Sequence, residues 1–237
     1  MSKVAAVIAA AGKGLRMGLG KSKQFLHLGG HPIIARTLKV FEDSRVVDEV
    51  VLVVGREDQS LAQEIVTRYG LNKVRALVPG GKERCHSVYQ GLQALSSNCS
   101  LVVVHDGVRP FLTWSLLSRA VEEAKRSGSV AVGVPVKDTI KICDQKGMVV
   151  ETPPREKLWA VQTPQVFPRE LLLDAYEKAL EIGLVATDDA AILEYFGHPV
   201  KIIMGDYSNI KITTPEDLDL AAGILERRRK NEGGDWL

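Results

Sequence analysis

The run from Val4 to Arg16, VAAVIAAAGKGLR, sets Gly12, Lys13, Gly14 and Arg16 directly behind a stretch of apolar residues, with Lys21 and Lys23 a few positions on. Glycines leave backbone N–H groups free to approach an anion, and clustered cations suit several negative charges at once, most simply a polyphosphate. Two familiar phosphate motifs do not fit. A Walker A loop ending in Gly20-Lys21-Ser22 needs a glycine where Leu15 stands, and the dinucleotide fingerprint needs a third glycine where Met17 stands. The expected chemistry is that of a nucleotide site outside the P-loop ATPases and the simple dehydrogenases.

Asp106, in His105-Asp106-Gly107-Val108-Arg109-Pro110, follows a second apolar run. A hard divalent ion such as Mg²⁺ takes one or two carboxylates together with phosphate oxygens, which makes Asp106 the metal candidate. Arg16, Lys23, Arg109, Arg155 and Lys211 all fall near loops or element ends. With Gly12, Gly14 and Asp106 they describe a site for two phosphorylated molecules and a metal, able to stabilise charge on a phosphorus centre during transfer. Other constellations carry less. His105 reads as a hydrogen-bonded structural residue. Adjacent helix residues do not face each other, which argues against Cys85-His86 as a thiol and its base. His27 and His31 have the separation of a helical metal pair, but Leu28-Gly29-Gly30 favours a turn. Asp188 and Asp189 read as first-turn helix acids.

These residues require a scaffold that gathers them. The opening run lacks polar alternation, as suits a strand buried on both faces of a parallel sheet. Further strands are expected at 50–54, 74–78, 101–104 and 130–136, with helices at 32–42, 59–69, 83–95 and from Thr113 to Gly128. Such alternation predicts an α/β, Rossmann-like, mostly parallel sheet with helices on both faces and with strand-end loops converging on one side. Residues 137–155 break the rhythm. Alternation around Ile140 and Ile142, the turn residues Asp144 to Gly147 and a strand over 148–152 read as a protruding β-hairpin arm. A free hairpin is marginal in water, so it packs on its own domain or on a second subunit. The chain then continues through 158–166, helices at 168–182 and from Thr187 to Gly197, a strand at 200–204, and a last helix announced by Thr214-Pro215-Glu216-Asp217. One domain over 1–237 is the economical organisation.

Composition sets the outer bounds. At 237 residues and 45% hydrophobic content the chain can bury one substantial core, and a net charge of +2 argues against a general nucleic-acid binder. Cys85, Cys99 and Cys143 have neither zinc spacing nor a disulfide framework, which fits a reduced compartment. No convincing signal peptide or membrane span is present, and a cytoplasmic location is expected.

The motifs as an ordered set are more specific than any of them alone. Ala9 to Met17, Lys23-Gln24-Phe25, Gly80-Gly81-Lys82-Glu83-Arg84 with Ser87-Val88, and His105 to Pro110 together resemble the 2-C-methyl-D-erythritol 4-phosphate cytidylyltransferases. Asp138-Thr139, Gln162 to Gln165, Thr187-Asp188 and Asn209 to Thr213 continue the resemblance in order over nearly the whole chain. It implies CTP and methylerythritol phosphate as substrates and Mg²⁺ or another divalent cation as cofactor. It implies Arg16, Lys23, Arg155 and Lys211 as catalytic residues, and Ala10, Ala11, Gly12, Gly14, Gly81 and Ser87 around CTP. Asp106, Arg109, Thr139, Thr163 and Thr187 fall to the acceptor. It further implies a homodimer whose arms embrace, so that Thr139 and Arg155 serve the neighbouring subunit. Ribitol 5-phosphate cytidylyltransferases resemble this family closely and differ in acceptor. A non-catalytic nucleotide-binding protein is the alternative from another class. Three positions depart from the pattern: Lys82 where an acid is common, Gly107-Val108 for a frequent Ala-Ala, and Asp189 for a familiar Glu.

Overall fold

The computed structural model describes residues 3–12 and 22–232, so Gly14 and Arg16 of the expected site lie outside the described residues. Strand β1 spans Lys3–Ala10, and after a small hairpin of β2 (His27–Leu28) and β3 (His31–Pro32) the chain enters α1 (Ile33–Glu42). Next come β4 (Glu49–Val54), α2 (Gln59–Arg68), β5 (Val74–Pro79), α3 (Arg84–Gln93), β6 (Cys99–Asp106), α4 (Trp114–Ser127) and β7 (Val130–Pro135). The arm carries β8 (Ile142–Cys143) and β9 (Val149–Glu151). Strand β10 (Trp159–Pro168), α5 (Arg169–Glu181), α6 (Asp189–Tyr195), β11 (Lys201–Met204) and α7 (Pro215–Glu232) complete the order. His27 and His31 stand on two paired strands, not on one helical face, as the intervening glycines suggested.

Seven strands form one sheet in the order β11-β7-β10-β6-β1-β4-β5. β1 runs parallel to β4 and β6, β4 to β5, and β11 to β7. β10 alone among them is antiparallel, to both β6 and β7. The cause is the connection. Between β7 and β10 the chain makes the arm, without a crossover helix, and a strand that returns without one pairs antiparallel.

The continuous apolar runs are explained by two covered faces. Val4, Ala6, Ile8 and Ala10 of β1 pack into one cluster with α1, α2 and α4, whereas Ala5 and Val7 pack into another with α3 and α5. β4 divides the same way, Val50, Leu52 and Val54 against Val51 and Val53. Successive strand side chains point to opposite faces, so burial on both sides leaves no polar position. Each fully buried Val, Leu or Ile contributes about 1.5–3 kcal/mol of transfer free energy. α3 presses closest: a Cβ on Gly91 would lie 2.5 Å from a Val7 methyl, so glycine sets the distance at which this helix meets β1.

The connectivity creates a switch point. From β1 the chain builds outward to β4 and β5, then crosses to β6 on the other side of β1. The carboxyl ends of β1 and β6 therefore flank a crevice, the position at which open α/β sheets take ligands. Among the described residues no helix is long and apolar enough to cross a membrane.

Candidate active site

A cleft of about 610 Å³ opens at that switch point. Its walls include Ala10, Ala11 and Gly12 at the end of β1, Lys23 and Gln24, Gly81 to Arg84 with Ser87, Asp106 at the end of β6, and Lys211 with Thr213. Of the residues expected around the nucleotide, Ala10, Ala11, Gly12, Gly81 and Ser87 are thus brought together, and Lys23, Asp106 and Lys211 join them.

Asp106 organises the electrostatics. Its carboxylate is nearly buried; Lys211 Nζ stands 2.9 Å from Oδ2, Arg109 Nε 3.4 Å from the same oxygen, and Arg84 Nε 3.8 Å from Oδ1. Burial alone would push this carboxyl up, but Lys211, Arg84 and Arg109 outweigh it and hold the group well below the ordinary carboxylate range. Asp106 is therefore ionised at every physiological pH. Burial pulls the Arg109 pKa down, with Asp106 opposing.

The backbone under Asp106 is fixed by groups from distant segments. Thr163 Oγ1 accepts from the Asp106 N–H at 3.0 Å and lies 3.0 Å from His105 Nδ1, while His105 Nε2 lies 3.2 Å from the Arg109 carbonyl. That carbonyl can only accept, so His105 carries its proton on Nε2 and takes the Thr163 O–H at Nδ1. Burial lowers the His105 pKa to about 4, so the ring is neutral and both nitrogens are occupied. The structural reading of His105 holds. Arg109 Nη1 donates to the Asn209 carbonyl at 2.8 Å, Asn209 Nδ2 donates to the Thr163 carbonyl at 2.8 Å, and Ile212 N–H donates to the Val108 carbonyl at 3.0 Å. These bonds lay the segment carrying Lys211 across the end of β6. Arg109 and Thr163 hence stand beneath the cleft and position Asp106; neither lines it.

The remaining expected residues lie apart. Thr139 and Arg155 are exposed on the arm, where Arg155 Nη1 donates to the Lys137 carbonyl at 2.9 Å. Thr187 is exposed just before α6, whose cap is Asp188: its Oδ1 accepts from the Ala191 N–H at 2.9 Å. None of the three lines the cleft of its own chain.

Sequence reasoning assigned no role to Gln24 or Arg84. Gln24 is buried and its Nε2 donates to the Ala10 carbonyl at 2.6 Å, tying the chain after the glycine loop to the end of β1. Arg84 makes a two-pronged ion pair with Asp189, at 2.9 and 2.6 Å, and Tyr176 donates its hydroxyl to the same buried carboxylate. Burial opposes the charge on Arg84, yet the Asp189 and Asp106 carboxylates raise its pKa overall. Gln24 and Arg84 were visible only as members of their motifs. The expectation for Cys85-His86 needs correcting: both lie on α3, yet Cys85 Sγ is 3.5 Å from His86 Nδ1. In the first helical turn the imidazole spans the roughly 100° that separates adjacent positions. Burial and the Glu83 carboxylate nevertheless raise the thiol pKa, so the contact does not make a nucleophile. Of the three departures, Gly107 has a direct cause: a Cβ there would lie 2.8 Å from both Ala10 Cβ and Ile34 Cδ1.

The model of the family described as 2-C-methyl-D-erythritol 4-phosphate cytidylyltransferase matches residues 4–227. The chain belongs to that family. Its relatives include a 2-C-methyl-D-erythritol 4-phosphate cytidylyltransferase of Alkaliphilus oremlandii, 50% identical over 97% of this chain and 98% of the relative. Another, from Desulforamulus reducens, is 49% identical over 96% and 98% of the two chains. A solved structure, the 4-diphosphocytidyl-2C-methyl-D-erythritol synthase of Anaerococcus prevotii, superposes with a TM-score of 0.86 at 34% identity, covering 95% of this chain and 97% of that one. The cytidylyltransferase of Thermus thermophilus gives 0.77 at 34% identity, covering 94% and 98%. The chain is accordingly an enzyme of the cytidylyltransferase class, and the cleft at the β1/β6 switch point is its candidate active site.

Proposed function

We infer that this chain transfers CMP from CTP to 2-C-methyl-D-erythritol 4-phosphate, giving 4-diphosphocytidyl-2-C-methyl-D-erythritol and pyrophosphate, a step in isoprenoid precursor synthesis. The observation that carries the reading is the meeting of Lys23, Lys211 and Asp106 with the backbone of Ala10 to Gly12 in one cleft. An oxygen of the acceptor phosphate forms a bond to the α-phosphorus of CTP as the bridging α–β oxygen leaves with pyrophosphate. A phosphate monoester with a second pKa near 6 is already a dianion at neutral pH and needs no general base. The neutral, fully engaged His105 agrees with that chemistry. What the protein must supply is in-line placement and positive charge against two polyanions.

Ala10, Ala11, Gly12, Gly14, Gly81 and Ser87 hold CTP in this assignment, with Lys23 and Arg16 along the triphosphate. Lys211 serves the acceptor phosphate, and Asp106 fixes the Lys211 ammonium. Asp106 also fits a divalent cation such as Mg²⁺: it is an ionised carboxylate on the cleft wall, and Arg84 Nε stands 3.8 Å from its Oδ1. Bound there with phosphate oxygens, Mg²⁺ would supply further neutralisation of the triphosphate. Thr139 and Arg155 complete the acceptor site of a partner subunit in a homodimer joined through the arm. That assignment is supported by the exposed apolar residues Met148, Val149 and Val150, which are 57–68% accessible. Three free cysteines support a cytoplasmic location.

The test is pyrophosphate release by the purified protein with CTP, Mg²⁺ and each acceptor separately. Turnover on methylerythritol phosphate is expected; exclusive turnover on ribitol 5-phosphate overturns the acceptor assignment, and CTP binding without turnover on either overturns the enzyme assignment.

A further inference from the structure

Glu83, Cys85 and His86 form the one group among the described residues in which three metal-ligating side chains meet; their ligand atoms all lie within 4.8 Å of one another. The transfer reaction uses none of the three. Cys85 Sγ stands 3.5 Å from His86 Nδ1 and 3.8 Å from Glu83 Oε2. In a tetrahedral zinc site, bonds of about 2.3 Å to sulfur and about 2.0–2.1 Å to nitrogen and oxygen separate sulfur from either of them by about 3.5 Å. The Sγ–Nδ1 separation falls at that value before any ion is bound, and the Sγ–Oε2 separation, 3.8 Å to the exposed Glu83 side chain, is slightly longer.

We propose that Glu83, Cys85 and His86 form a three-ligand site for a borderline-soft divalent cation of the Zn²⁺ type, with the fourth position left to water. The donor set decides the class of ion. Mg²⁺ demands near-octahedral oxygen ligation, whereas one thiolate, one imidazole nitrogen and one carboxylate suit Zn²⁺ and Co²⁺. As the Sγ–metal bond forms, the thiol proton leaves to solvent, and the thiolate and carboxylate together balance the two positive charges of the ion. The amino end of α3 opposes a cation but favours the thiolate beside it. Arg84, which intervenes in sequence, has its guanidinium drawn to Asp189.

The site borders the cleft. Glu83 lines it, a Cβ on Gly81 would lie 2.4 Å from His86 Cβ, and Gly81 N–H donates to Ser87 Oγ at 3.1 Å. An ion held by Glu83 and His86 would therefore lie beside the turn that forms one wall of the nucleotide cleft.

Co²⁺ is the probe, titrated into chelator-treated full-length protein and then displaced by Zn²⁺. One equivalent is expected to give the near-ultraviolet thiolate-to-cobalt band and the visible bands of a tetrahedral ion, unchanged by millimolar Mg²⁺. Cys85→Ser should abolish the band, and His86→Ala should weaken Co²⁺ binding at least about 10-fold, the lower end of losses seen when metal-site groups are removed. Cys143→Ser, on the exposed arm, should leave the band intact. Cys85→Ser should keep its Mg²⁺-supported turnover within about twofold, which separates loss of the ion from loss of the fold. An octahedral spectrum without a thiolate band, a band that survives Cys85→Ser, or one that disappears in Cys143→Ser overturns the proposal. Because the readout is spectroscopic, the result is independent of which sugar phosphate the enzyme accepts.

Discussion

Asp106 shows how one carboxylate can set the charge of a whole cleft. Lys211, Arg109 and Arg84 keep it ionised, and in return it holds the Lys211 ammonium at 2.9 Å on the cleft wall. A cation placed in advance costs no reorganisation when charge develops on phosphorus. Lys23→Ala and Lys211→Ala are accordingly expected to lower kcat by at least about 10²-fold, the scale of losing one transition-state donor. Steady-state pyrophosphate release checks this, and near-normal turnover in both variants would remove these residues from the mechanism. Much of this cleft was legible in the sequence because its members sit just beyond apolar runs, where a strand ends and a ligand can approach. The Arg84–Asp189 pair was not: its partners are 105 positions apart, and no local spacing announces them. Asp189 looked like an ordinary first-turn acid, and only packing against Tyr176 and Arg84 reveals that it is fully buried.

At the scale of elements, local signals set most boundaries and only tertiary context set direction. Thr113 caps α4 by accepting from the Leu116 N–H at 3.2 Å, and Gly128 closes that helix with a φ of 88°, as a Thr before and a Gly after a periodic run suggest. The antiparallel course of β10 was hidden, since an apolar run reads alike in either direction; the missing helix between β7 and β10 was the available clue. That reversal matters for chemistry because it brings Thr163 beneath Asp106. α7 shows an element supporting the site from outside it. Asp217 Oδ2 accepts from Thr213 N–H, Thr213 Oγ1 and Thr214 N–H at 2.7–2.9 Å, fastening the start of α7 to the segment that carries Lys211. Although burial opposes it, these bonds hold the Asp217 carboxyl below its ordinary pKa. A lowered folded-state pKa contributes stability that is present above the unfolded value, about 3.9, and lost as pH falls through the folded one. Asp217→Ala should therefore cost about 1 kcal/mol at pH 7, the usual worth of a cap, with the gap from the parent protein narrowing in acid. Urea midpoints at pH 7 and at about pH 2.5, below the unfolded value, measure both; an equal gap at both pH values would mean that the carboxylate charge is not what holds the cap.

For the whole molecule, the arm is the part that a single chain leaves unexplained. Every residue from Lys137 to Thr152 is exposed, and the two-stranded pairing of β8 with β9 covers none of Ile140, Ile142, Met148, Val149 or Val150. A soluble chain keeps contiguous exposed apolar surface only where something binds it, and a two-stranded hairpin is marginal in water without a packing partner. In a closed twofold dimer each arm meets the other subunit through the same surface, which covers both arms at once. Thr139 and Arg155, absent from the cleft of their own chain, then have a cleft to serve. Two results are expected from this arrangement. Val150→Asp should shift the protein toward monomer in sedimentation velocity and lower turnover together with it. Mixing an Arg155→Ala chain with a Lys23→Ala chain should restore activity, because a mixed dimer contains one site with both residues intact, up to about one quarter of the parent rate for random assortment of chains. Recovery that depends on subunit exchange is the signature of a shared site. If verified mixed dimers stay inactive while each parent variant remains folded, Arg155 acts within its own chain, and the exposed arm serves association alone.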